Sequence, residues 1–215
     1  MKIACVGYRE WALNIYKKIM SDFEAQYLFI ASKDEYSEEA LFTFKPDIVL
    51  FYGWSWKISN DILEKFKCIM LHPSKLPKYR GGSPIQNQII NGETESAVTL
   101  FVMTDEMDAG DIVAQKPYSL QGHLSEILQR IEKSGIELTL MMLSETPIPT
   151  AQDHTAATFC KRRRPEQSEI TIEELINKSG TYLYNKVRML EDPYPNAYIK
   201  TSDNKKLILK LVELE

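Results

Sequence analysis

Residues 47–52 read Asp-Ile-Val-Leu-Phe-Tyr, an apolar run without polar–apolar alternation. A strand with one wet face alternates, so an unbroken run of this kind is expected to be covered on both faces, as in the middle of a parallel sheet. Parallel neighbours need crossover connections, and the flanking residues supply them. Lys2 to Val6 is a second apolar run, stopped by Gly7, and about Trp11 to Met20 carries Leu13, Ile15, Tyr16, Ile19 and Met20 at helical spacing. Tyr27 to Ala31 reads as a strand, Glu38 to Phe44 as a short helix, Asn60 to Phe66 as a helix capped by Ser59, and Cys68 to Leu71 as a strand. This alternation predicts an α/β class fold: a Rossmann-like, doubly wound, mostly parallel sheet.

The strand from Cys68 ends on His72 and enters a loop stiffened by Pro73, Pro77 and Pro84, with Gly81 and Gly82 between them. Ser83 suits an N-cap and Pro84 the first helical position of a helix whose apolar face is Ile85, Ile89 and Ile90. A titratable ring at the carboxyl end of a strand lies where open α/β sheets place their chemistry. A second candidate follows the strand Ala97 to Met103, in an acidic turn that ends at Asp108-Ala109-Gly110. His72 and Asp108 are 36 residues apart (108 − 72), room for a loop, a helix and a returning strand, so the two side chains are expected at one sheet edge. Taken singly, His72 reads as a structural histidine and Asp108 as a turn former. The turn Gly7-Tyr8-Arg9-Glu10 has no GxGxxG and offers no phosphate cradle, no GxSxG occurs, and no histidine has a partner at metal-ligand spacing.

Three stretches, residues 72–86 (HPSKLPKYRGGSPIQ), 90–93 (INGE) and 101–112 (FVMTDEMDAGDI), together resemble the core of the folate-dependent formyltransferases, most densely from about Pro46 to Gln115. The resemblance implies N10-formyltetrahydrofolate as formyl donor and cosubstrate, with His72 and Asp108 as the catalytic pair. It implies a pterin enclosed by Tyr52, Gly53, Trp54, Ser55 and Trp56 on one side and Thr104, Asp105, Glu106 and Met107 on the other. Tyr79, Arg80 and Gly81 would lie near the acceptor, with Arg80 available for an anionic group or as a loop anchor. One position departs: two before His72, where the family carries Asn, this chain has Met70. Its thioether offers no N–H to an oxyanion. Two outcomes are therefore expected to compete, an N-formyltransferase and a relative that binds folate or sugar nucleotide without turnover.

The remaining sequence bears on the acceptor. Twenty-six Lys and Arg against 30 Asp and Glu give a net charge of −4, which does not mark a general nucleic-acid binder. Three scattered cysteines and no signal-peptide pattern or membrane-length apolar run lead to the expectation of a cytoplasmic protein without a membrane partner. Residues 1–150 are expected to form the catalytic domain. Residues 151–215 are expected to form a linker, a helix from the Thr171–Glu174 capping box to about Glu191, and a β-hairpin. In the linker, Lys161-Arg162-Arg163-Arg164 is either a solvated run or a contact for substrate phosphates. A tail this short, with this charge, favours a nucleotide-linked amino sugar over methionyl-tRNA as acceptor; a homodimer is left open.

Overall fold

The computed structural model describes residues 1–215. Its elements are β1 (Lys2–Val6), α1 (Glu10–Asp22), β2 (Gln26–Ile30), α2 (Glu38–Phe44), β3 (Ile48–Tyr52), α3 (Asn60–Lys65), β4 (Cys68–His72), β5 (Arg80–Gly81), α4 (Pro84–Ile90), β6 (Glu95–Val102), β7 (Ile112–Ser119), α5 (Leu124–Glu145), β8 (Phe159–Cys160), α6 (Ile172–Asn177), α7 (Gly180–Arg188), β9 (Ala197–Lys200) and β10 (Lys206–Leu209). The central sheet runs β2-β1-β3-β4-β6-β7. Its first four strands are parallel, and β6 is antiparallel to both neighbours. The expected class is therefore observed, with β9 and β10 forming the C-terminal hairpin.

β3 is buried along its whole length, as its unbroken apolar run requires. Its side chains divide between two cores. Ile48, Leu50 and Tyr52 join the larger one, with Trp11 to Ile19 of α1 and Ile127 to Leu143 of α5. Val49 and Phe51 join a smaller one on the opposite face, with Leu41, Trp54, Ile62 and Cys68. Alternation along β4 sends Ile69 and Leu71 to the larger core and puts Met70 and His72 on the smaller-core face. Further along that face, the loop after β4 lies across the sheet. Thr99 Oγ1 donates to the Ser74 carbonyl at 2.7 Å, and Gln115 Nε2 to the Leu76 carbonyl at 2.8 Å.

The parallel strand ends are tied by one side chain. The Tyr16 hydroxyl, fully buried, accepts from Tyr52 N at 2.7 Å and shares its proton between the carbonyls of Leu50 and Val6. Tyr16→Phe leaves those groups unpaired in the core and is expected to lower the unfolding free energy by about 1–3 kcal/mol. The check is the midpoint of urea unfolding.

Two local expectations are corrected. The helix expected from Thr171 to Glu191 is two helices, because Ser179 caps a new one by accepting from Tyr182 N. Ser83 does not cap α4 with its side chain: it has a left-handed backbone (φ 52°), and its Oγ accepts from Arg163 N instead. The tail is anchored where α5 begins: Arg188 donates to the carbonyls of Leu120 and Gly122, and Glu191 binds His123 Nδ1 at 2.6 Å. No helix is long and apolar enough to cross a membrane.

Candidate active site

β4 delivers His72 to the smaller-core face, where the ring is 5% exposed. Nε2 donates to the Tyr79 carbonyl at 2.8 Å, which fixes the ring plane and turns Nδ1 toward Asp108 Oδ2 at 3.6 Å. The pair is brought together by a route other than the expected one. His72 is in register with Thr99, and β6 runs away from it, so that Met103 N bonds to the Cys68 carbonyl at the far end of β4. The loop from Thr104 to Asp111 must therefore double back for Asp108 to reach the histidine. Asp108 holds a left-handed backbone (φ 52°) at this bend. Such strain persists only where the surroundings impose it.

The loop after β4 supplies the other wall. Gly81 N donates to Asp108 Oδ2 at 2.7 Å. Gly81 has φ 103° and lies against the Cys160 carbonyl, which a Cβ would meet at 2.4 Å, so this approach requires glycine. The contact belongs to a two-stranded ladder, Arg80–Gly81 on Phe159–Cys160. The segment expected to be an irregular linker thus reaches into the site. Thr158 Oγ1 accepts from Tyr79 N, and Gln152 donates to the carbonyls of Asp108 and Gly110. Nothing in the sequence pattern around Thr158 or Gln152 marks them.

Several residues expected to face ligand are placed otherwise. Tyr52 points into the larger core, its ring 5.2 Å from that of Tyr16 and its hydroxyl on Thr139, so only its backbone remains for a ligand. Arg80 is 1% exposed and bonded to Gln152; it is a loop anchor, not a free cation for an acceptor. Gly53 has a left-handed backbone (φ 62°), and a Cβ there would meet the Arg9 side chain at 2.9 Å. Trp54 is buried in the smaller core, with its ring nitrogen unpaired. Trp56, 40% exposed, packs 4.9 Å from Tyr8, whose hydroxyl is 2.7 Å from Ser55 Oγ. Thr104, Asp105, Glu106 and Met107 are all exposed, and Met103 just before them packs against the same small core as Trp54 and Met70. Met70 is half-buried between Phe51 of β3 and Phe101 of β6, two residues from His72 on its face.

A cleft of about 500 Å³ opens on the far side of Tyr79, bounded by Glu93, Lys78, Lys161, Arg162 and Arg163. None of these four cations forms an ion pair. Tyr79 links the two spaces, its carbonyl on His72 and its hydroxyl on Glu93. No thiol is activated: burial pushes Cys5 and Cys68 up to about 12 and raises Cys160 as well. No cluster of three or more metal-ligating side chains occurs.

This sheet is that of a formyl-transfer fold, and the histidine–aspartate pair lies on its loop-covered face. The formyl transferase family model matches residues 14–142, more than half of the chain, and the chain belongs to that family. Methionyl-tRNA formyltransferase of Halalkalibacterium halodurans is 36% identical over 174 residues, which cover 77% of this chain and 53% of that protein. The chain thus spans about half the length of the curated relatives it matches. The solved structure of methionyl-tRNA formyltransferase from Clostridium thermocellum superposes with a TM-score of 0.90 at 30% identity, covering 100% of this chain and 94% of that one. Two less similar structures share the fold. HypX from Aquifex aeolicus, solved in complex with tetrahydrofolic acid, has a TM-score of 0.84 at 22% identity, covering 98% of this chain and 37% of that one. A 4-N formyltransferase from Francisella tularensis has a TM-score of 0.81 at 20% identity, covering 100% and 98%.

Proposed function

We propose that this protein transfers a formyl group from N10-formyltetrahydrofolate to the amine of a phosphate-bearing acceptor, a nucleotide-linked amino sugar in the first instance. The observation that carries this reading is the His72–Asp108 pair, set one residue's width, Tyr79, from a cleft lined by four unpaired cations. The attacking nitrogen forms a bond to the formyl carbon as the bond from that carbon to folate N10 breaks. One proton leaves the amine and one reaches N10. An imidazole suits both transfers because it can accept a proton and give one up, and the Asp108 carboxylate facing Nδ1 at 3.6 Å orients the ring. Both ring nitrogens now face acceptors, so His72 reaches the reacting amine by exchanging its Nε2 contact with the Tyr79 carbonyl for the substrate. The folate ring would lie against the exposed Trp56 and the 104–107 loop, with the acceptor's phosphates in the basic cleft.

A second acceptor, methionyl-tRNA, is favoured by a different observation. Relatives at 30% identity or more carry that name, among them the Halalkalibacterium halodurans protein and the Clostridium thermocellum chain, of which this chain covers 94%, so the short tail does not argue against it. The cationic cleft would serve a tRNA end as well as a nucleotide.

Titration calorimetry with 5-formyltetrahydrofolate is expected to give saturable heat. No binding tighter than about 1 mM would count against the folate assignment. Formylation assays with methionyl-tRNA and with thymidine- and uridine-diphosphate-linked amino sugars then choose the acceptor. Turnover of the tRNA alone overturns the sugar reading, and turnover of a sugar nucleotide alone overturns the other.

A further inference from the structure

The buried Arg80 and the side chain of Gln152 form an arrangement that the chemistry above does not use. Gln152 is 5% exposed and has two sets of partners. Its Oε1 accepts from Arg80 Nη2 at 2.7 Å and Nε at 3.2 Å. Its Nε2 donates to the Asp108 carbonyl at 3.0 Å and the Gly110 carbonyl at 2.6 Å. A guanidinium can only donate and a carbonyl can only accept, so the amide has one orientation. Turned over, it would set N–H against N–H on one side and oxygen against oxygen on the other.

We propose that Gln152 is a positioning residue for formyl transfer: locked by Arg80, its amide holds the Asp108 turn and thereby the carboxylate that faces His72. This rests on the reading of His72 and Asp108 given above. Three features carry it. The turn needs holding, because Asp108 has a left-handed backbone that a non-glycine residue adopts at a cost. The two carbonyls that Gln152 takes flank Ala109, so one side chain clamps the bend on both sides. The carboxylate has a single tether, Gly81 N on Oδ2, which leaves the backbone position of Asp108 to set its distance from the histidine.

Arg80 fits the same purpose. Its nearest carboxylate, Glu106 at 3.9 Å, is largely exposed, and its other polar contact is His154 Nδ1 at 3.4 Å. A fully buried cation resting mainly on a neutral amide is costly as a filler of space. Its distinctive effect is that the amide cannot flip. Through this pair, the segment after α5 becomes part of the site's machinery.

Gln152→Glu separates anchoring from positioning. The carboxylate still accepts from Arg80, and more strongly, but has no N–H for the two carbonyls. The variant is expected to fold with a melting temperature within a few degrees of wild type. Single-turnover transfer from N10-formyltetrahydrofolate, to methionyl-tRNA or to the sugar nucleotide chosen by the panel above, should fall about 10- to 100-fold, as expected for a displacement of order 1 Å. The apparent folate KM should stay within a few-fold.

Asp108→Asn and the double variant complete a cycle. If Gln152 acts through Asp108, the double variant is no slower than Asp108→Asn alone, whereas independent effects multiply. In unliganded protein labelled with 15N-histidine, the His72 ring signals should shift in Gln152→Glu. Gln152→Ala provides a second variant should the glutamate prevent folding. Folded variants at wild-type rate, or a multiplicative cycle, overturn the proposal. Asp108→Asn at wild-type rate overturns the catalytic reading itself, and the two failures are thereby told apart.

Discussion

Replacing His72 by Asn is expected to lower kcat by roughly 10²- to 10⁴-fold, the range for removing a positioned general acid or base. The expectation rests on how completely the ring is constrained. Its Nε2 is held at 2.8 Å by Tyr79, its Nδ1 faces Asp108 at 3.6 Å, and almost none of it is exposed. Asn keeps a polar, hydrogen-bonding group in the cavity but cannot gain or lose a proton near neutral pH. Folate affinity should change little, because Trp56 and the 104–107 loop are untouched. Circular dichroism and thermal melting verify the fold, and stopped-flow folate absorbance gives the rate. A variant within a few-fold of wild type would leave His72 only a structural role.

Met70→Asn is expected to act in the opposite direction, raising single-turnover formyl transfer on the order of tenfold or more. In the transition state the formyl oxygen becomes an oxyanion, and one lost donor typically costs about 10²–10³-fold in rate. Met70 stands on the face of His72, two residues away and half-buried between Phe51 and Phe101. Neither its thioether nor the side chains of Phe51 and Phe101 can donate a hydrogen bond. An amide there would act mainly in the transition state, so its effect belongs in kcat rather than in binding. The substitution also puts a polar group beside the small core of Trp54 and Met103, at a cost of about 1–3 kcal/mol unless it finds a partner. Stability must therefore be measured alongside rate. A folded Met70→Asn protein that binds folate and is no faster than wild type refutes this account of the position.

What could be read from the residues followed the physics of each signal. β3 was legible because a strand buried on both faces cannot alternate, and α5 because its 22 residues keep one apolar stripe. The meeting of His72 and Asp108 was legible in outcome but not in route, since nothing in residues 95–102 says which way the strand runs. The side-chain directions of Tyr52 and Arg80 were illegible for a related reason. A residue's position at a strand end or in a loop does not tell which way its side chain turns, and both turn inward. Gln152 was invisible because residues 146–158 have neither period to read. The break between α6 and α7 depended on Ser179 acting as a cap inside an otherwise helical stretch.

The short ladder between β5 and β8 shows that the sheet and the site draw on different parts of the chain. The last strand of the central sheet closes at Ser119, and most of its pairings join segments close in the chain. Arg80 instead pairs with Phe159, 79 residues downstream (159 − 80), in a separate two-stranded ladder. Closing so long a loop carries more entropy and is repaid only once both ends have a surface to settle on. All six strands of the central sheet lie before the strap bearing Gln152 and Thr158, and that strap holds the Asp108 bend through the two Gln152 contacts. The residues that brace the candidate site thus come later in the chain than those that build the sheet beneath it.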